Sequence, residues 1–140
     1  MNVEVNYLAV LLAAIANMVV GFLWYSKILF AKPWMEASGM TEEKIEAQSG
    51  QMTRTYIISF VGALVMAYVL FHVMALSENF FHYERFQTGL TSAFWMWLGF
   101  IAPVQLTEVL FGGKSLRLYG INTGYQLAAM LAMGAVLGLM

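Results

Sequence analysis

The sequence predicts an all-α integral membrane protein, a four-transmembrane-helix bundle with both termini extracytoplasmic. Three observations carry that expectation. Hydrophobic residues make up 61% of the chain and charged residues 11%, against about 45–50% and 25% in soluble domains. Four runs, Tyr7–Ser26, Thr55–Ser77, Phe86–Thr107 and Leu118–Met140, contain no Asp, Glu, Lys or Arg. Each exceeds the roughly 18 residues that mark a helix crossing a hydrocarbon core of about 30 Å. With four crossings, Lys27, Lys32, Lys44, Arg54, Lys114 and Arg117 share one face and Arg85 alone lies on the other, which makes the first face cytoplasmic. The 140 residues have the size of one domain. Residues 1–140 are therefore read as a single transmembrane domain with spans near 7–30, 55–76, 88–111 and 119–140.

The first span reads as retained rather than cleaved. Its leader, Met1-Asn2-Val3-Glu4-Val5-Asn6, lacks a positive n-region, and the apolar run is too long for a signal peptide. The runs are rich in Ala, Leu, Met and Gly and do not alternate, which argues against an outer-membrane barrel. Ala9, Ala13, Asn17 and Gly21 form a stripe of small residues. Asn17 lies mid-span, where its amide must reach another helix or water. It is read either as a bridge between helices or as a solute or ion ligand.

The connection 31–54 opens with Lys32-Pro33-Trp34. Pro33 discourages further helix, while Trp34 has the amphipathic ring favoured at a membrane interface. Beyond Gly39, Thr41-Glu42-Glu43 has the pattern of an N-cap followed by first-turn acids. It predicts an interfacial helix to about residue 52 with Ile45 and Met52 turned toward the membrane; the alternative is a solvated connector. At 24 residues the segment is too small for an independent catalytic domain. The second span carries a Ser59-Ala63-Ala67 stripe and His72. In the loop 77–87, Phe80, Phe81 and Tyr83 fit an aromatic belt. Glu78 and His82 have no third partner at metal-ligand spacing, so no metal is expected.

The third span combines Trp95, Trp97, Gly99, Pro103, Gln105, Thr107 and Glu108. Pro103 has no N–H, so the Gly99 carbonyl should lose its partner and the helix should kink. Such kinks expose backbone to cavities in transporters and also serve purely structural ends. Glu108 is the only carboxylate within a span, one turn from the cytoplasmic end. In the fourth span the Gly120-Gly124-Ala128-Ala132 face is expected to pack against protein, with Gly134 and Gly138 on a second stripe. Aligning Ile28-Leu29-Phe30 with Val109-Leu110-Phe111 sets Lys27 opposite Glu108 and is compatible with a parallel two-helix repeat. The two charges are expected to meet, within the chain or across a subunit interface, rather than to snorkel separately.

The net charge of −1 gives no reason to expect a nucleic-acid partner. The absence of cysteine excludes disulfides, thiolate metal sites and thiol nucleophiles. No catalytic signature appears, and Gly112-Gly113-Lys114-Ser115 lacks the context of a phosphate loop. No catalytic, cofactor-binding or metal residue is assigned; the polar candidates are Asn17, Lys27, Pro103, Gln105 and Glu108.

Trp24-Tyr25-Ser26, then Leu29-Phe30-x-Lys32-x-Trp34 and Gly39, resembles the DUF1761 family of small four-span bacterial membrane proteins. The resemblance returns at Leu110-Phe111-Gly112-x-Lys114-Ser115 and at Ile121-Asn122-x-Gly124-Tyr125, ending in Met133-Gly134-Ala135. Lys27 stands where members often have proline. The resemblance implies a multi-pass protein of the bacterial cytoplasmic (inner) membrane and supplies no catalytic residue. Its motif residues read physically as interface anchors, packing aromatics and snorkelling cations. They gather at the cytoplasmic ends of the first and third spans, which directs attention to that face. Three functions compete. The leading one is a non-enzymatic module that lies in the lipid bilayer and self-associates as a homo-oligomer or binds a membrane partner. The second is an oligomeric small-solute or ion pathway near the third span, and the third a membrane-embedded enzyme. A cavity reaching Glu108 favours the pathway, and a dry bundle favours assembly.

Overall fold

The computed structural model describes residues 3–140, all of whose regular structure is helical. The chain runs through α1 (Tyr7–Trp24), α2 (Ala31–Ser38), α3 (Glu42–Ala47), a 3-10 turn (Ser49–Gln51), α4 (Met52–Phe81), α5 (Arg85–Met96), a π turn (Trp97–Ile101), α6 (Ala102–Phe111) and α7 (Leu116–Leu139).

Asn6 starts α1 by accepting the Ala9 N–H at 3.1 Å. The helix stops at Trp24, short of the expected Phe30. There the Trp24 carbonyl accepts the Phe30 N–H across a turn, and Ser26 Oγ donates back to the Leu23 carbonyl at 2.7 Å. Both bonds reward leaving the helix. Lys27, Ile28 and Leu29 consequently lie in turns, whereas Glu108 through Phe111 are helical, so the two aligned segments differ in local structure.

The expectation for Pro33 is corrected. It occupies the first turn of α2, where a missing N–H costs nothing, and Gly39 at φ 75° closes that helix. Thr41 caps α3 as expected, accepting the Lys44 N–H at 3.2 Å, but α3 ends at Ala47 rather than near residue 52. The second long helix, α4, continues past the expected Leu76 to Phe81, ending at His82 in the left-handed region. The expected loop 77–87 thus contracts to three residues, His82–Glu84. Phe81 stacks on Tyr83 at 5.4 Å across this bend.

Pro103 disturbs its helix through register. The Ala102 N–H reaches back five residues to the Trp97 carbonyl, widening the helix into a π turn immediately before Pro103. Ser115 caps α7 through its hydroxyl, which accepts the Leu118 N–H at 3.2 Å.

Three helical stretches, Tyr7–Trp24, Ser49–Phe81 and Arg85–Phe111, are long and apolar enough to cross a membrane. Although α7 has 24 residues, Asn122, Thr123, Tyr125 and Gln126 lower its hydropathy. Freedom from charge, the criterion applied to the sequence, overlooks uncharged polar side chains. The fourth long helix is nonetheless the central one: α7 packs on α1, α5 and α6, while α4 packs on α1 and α5 and has at most marginal contact with α6.

Packing is uneven along the bundle. Ala9, Val10, Ala13, Ala67, Leu70, Phe71, Met74, Ala93, Met130, Met133 and Leu137 form a core toward the end where α1 begins and α7 finishes. Among the glycines, Gly89 and Gly134 make the closest backbone approach, since a Cβ on either would collide with the other's carbonyl oxygen. The α7 stripe is corrected accordingly. Gly120 has open space around it, Gly124 meets Trp24, and the tightest helix contact lies on the second stripe.

Candidate functional site

The opposite end, beneath α2 and α3, is not filled. Three adjoining cavities occupy it. A chamber of about 700 Å³ is walled by Gly21, Phe22 and Tyr25 of the first span region, Tyr56 and Ser59 of α4, Gln105 of α6, and Asn122, Tyr125 and Gln126 of α7. Trp34 and Met35 of α2 and Ile45 of α3 roof it. A trough of about 500 Å³ lies between α4 and the third span. A notch of about 130 Å³ holds Glu108, Lys114, Tyr119 and Asn122. Gln105 lines all three.

A belt of hydrogen bonds centred on α7 holds the chamber walls. Trp24 Nε1 donates to the Ile121 carbonyl at 3.0 Å, and Trp97 Nε1 donates to the Thr123 carbonyl at 2.9 Å. Tyr25 Oη donates to Asn122 Oδ1 at 2.7 Å, and Thr123 Oγ1 donates to Gln105 Oε1 at 2.9 Å. Tyr119 Oη donates to the Ala102 carbonyl at 3.0 Å, beside the π turn. Deeper, Tyr125 Oη donates to Asn17 Oδ1 at 3.0 Å while Asn17 Nδ2 reaches Met133 Sδ at 3.7 Å. Away from water each of these groups is costly if unpaired, so the belt fixes the rotation of α7 relative to α1 and the third span. The remaining N–H donors of Gln105 and Asn122 and the Gln126 amide have no protein partner among the described residues, and these side chains line the chamber. Among the described residues the chamber lining carries no formal charge.

The motif residues Trp24, Tyr25, Trp34, Gly124 and Tyr125 gather here. Trp24 stacks on Phe30 with centroids 4.6 Å apart, and its ring lies 3.1 Å from where a Cβ of Gly124 would stand. Gly21 leaves similar room for Tyr125. Tyr25 packs on Tyr125 at 5.3 Å and meets Trp34 edge-on at 5.9 Å. These aromatics clamp α1 and α2 onto α7. The rest of the motif serves locally: Ser26 bonds back to the helix end, Ser115 caps α7, and Lys32 and Lys114 are exposed. Phe111 is exposed at the end of α6.

Of the polar candidates, Asn17 and Gln105 are bonded between helices, whereas Pro103 is exposed beside the π turn. The expected Lys27–Glu108 pair is corrected within the chain. Both are exposed, and the ion pair among the described residues is Arg117–Glu36 at 3.5 Å, joining α7 to α2. Glu108 instead shares its notch with Lys114. Thr123, Gln126 and Gly89 escaped the sequence reading. The signal was there for the first two: a run of polar residues on consecutive faces of one apolar helix must find partners on several sides.

The family described as a protein of unknown function (DUF1761) matches residues 8–138, nearly the whole chain. The chain belongs to the DUF1761 family. No curated protein and no solved structure matches this DUF1761 chain, so its chamber is interpreted from its own geometry.

Proposed function

We propose that this DUF1761 protein is a four-span, multi-pass protein of the bacterial cytoplasmic membrane that binds a small uncharged molecule in the chamber beneath α2 and α3. One observation carries the reading: Gln105, anchored by Thr123, lines three neighbouring cavities, the trough beside α4, the chamber and the notch at Glu108. A volume of about 700 Å³ suits a small-molecule site. Aromatic walls with a few unpaired amides give apolar contact plus orientation. A module built only for self-association calls for packing at both ends, and the open end supports binding instead. Oligomerisation remains compatible with this role and would extend the cavities into a pathway. The fourth crossing is supported by the packing of α7 on α1, α5 and α6 and by the hydrogen bonds made by Tyr119, Asn122, Thr123 and Tyr125.

Because the chain has no cysteine, single-cysteine variants read the chamber directly. In inverted membrane vesicles, the Ser59→Cys variant should react with a small, charged, impermeant thiol reagent and resist a bulky one. Failure to react with the small reagent would remove the water-filled chamber. Orientation is tested in intact cells. The Asn2→Cys variant, at a position outside the described residues, should label from outside while Glu43→Cys stays protected, following the basic-residue asymmetry. The opposite pattern would invert the protein.

A further inference from the structure

We infer that the occupant is a single-chain amphiphile with an uncharged, hydrogen-bonding head, entering sideways from the bilayer between α4 and α6. The inference rests on the chamber reading above and names the ligand of that same site.

The trough supplies the side entrance. Its walls are apolar and open outward: Val65 is 58% exposed, Phe100 70% and Val104 55%. In a membrane those side chains face acyl chains rather than water. The gap follows from the backbone. The bundle closes where α4 packs on α5 and stays open beyond the π turn, where α6 packs on α7 instead. An acyl chain lying in this gap replaces lipid contacts with protein contacts, so it needs no water-filled mouth.

The polar end is set by the amides. Gln105 and Gln126 line both trough and chamber, so they stand where an apolar tail would pass into a polar head. Their available donors and acceptors match hydroxyl, carbonyl or amide groups. Charge complementarity narrows the class further. Among the described residues no Lys or Arg lines either cavity, and the one ionisable side chain in the trough lining is the carboxylate of Glu108. A phosphate or carboxylate head would meet the like charge of Glu108 with no Lys or Arg in either lining to offset it. Methionines supply adaptable surface, with Met66, Met96 and Met130 in the trough and others in the chamber. This suits flexible chains better than one rigid shape.

The test compares two lipids sharing one chain. The protein is reconstituted into nanodiscs containing equal mole fractions of 1-monooleoylglycerol or 1-oleoyl lysophosphatidate, and retained lipid is read by native mass spectrometry. Monooleoylglycerol should be retained saturably, and lysophosphatidate at least about tenfold less, the scale set by a charge penalty above about 1.4 kcal/mol. Val104→Trp should fill the trough and cut retention while leaving labelling of Ser59→Cys intact. Val65→Trp, on the facing wall, serves the same purpose if the first variant does not fold. Equal retention of both lipids, or retention unchanged by the tryptophan, overturns the inference. So does a change in subunit number without a change in lipid, which makes the trough an interface with a second copy. Chamber labelling without retained lipid overturns this inference alone; no labelling in the Ser59→Cys parent overturns the chamber reading with it.

Discussion

Replacing Gly134 with leucine is expected to stop α5 and α7 from docking and leave no cooperative thermal transition. The smallest change at this site already meets backbone. A Cβ there collides with the Gly89 carbonyl oxygen, lies 2.8 Å from the carbonyl carbon and 3.1 Å from Ala93 Cβ. Backbone carbonyls cannot swing aside as a long side chain does, so the two helices must separate. Separation then loosens contacts around the core residues Met74 and Ala93. Gly134→Ala should therefore cost about 1–3 kcal/mol, the range for overpacking a close contact, and Gly89→Ala should do the same from the other side. Gly62 and Gly120 are helical, and a Cβ at either would have nothing within 4 Å. Alanine at either should be neutral or stabilising by up to about 1 kcal/mol through helix propensity. Thermal unfolding of the four alanine variants in one detergent provides the comparison. Similar midpoints for Gly134→Ala and Gly120→Ala would show that the approach of α5 to α7 does not limit stability.

The second large effect is expected at Trp24. Truncation to alanine removes the stack on Phe30, the bond to the Ile121 carbonyl and the ring that fills the space beside Gly124. A buried aromatic truncated to alanine typically costs about 3–5 kcal/mol, and the partial exposure of Trp24 places it near the lower figure. Trp24→Phe keeps a ring but loses the indole N–H, leaving a deficit of about 1 kcal/mol. The consequence should extend to the chamber roof. Phe30 begins the approach to α2, and α2 holds Trp34 over the chamber. Trp24→Ala should accordingly loosen α3 and let trypsin cleave after the already exposed Lys44 well before global unfolding, whereas Trp24→Phe should not. Equal cleavage in both variants would detach the roof from the Trp24 clamp.

The sequence alone determined that this chain is helical and apolar, because both properties belong to individual runs and need no knowledge of their neighbours. Run length and freedom from charge placed the long helices, and Thr41 marked the start of α3 through local capping; the caps Asn6 and Ser115 emerged only with the structure. Asn17 was legible as a group requiring a partner, since an uncharged amide within an apolar run is expensive when left alone, and Gln105 was legible as a polar candidate in the third span. The partners themselves were not. Whether Gln105 meets Thr123, or Trp24 meets Ile121, depends on how far each helix is rotated and how closely its neighbours approach. The approach of α5 to α7 is set where backbones touch, at Gly89 with Gly134, between segments 45 residues apart in sequence. The Lys27–Glu108 pairing failed within the chain for a related reason: α1 stops at Trp24, so Lys27 lies in a turn while Glu108 remains on a helix. Tertiary structure also decided where the helices touch and where they part. Small residues let α5 and α7 meet backbone to backbone at Gly89 and Gly134, whereas beyond the π turn α6 packs on α7 and leaves the trough open beside α4.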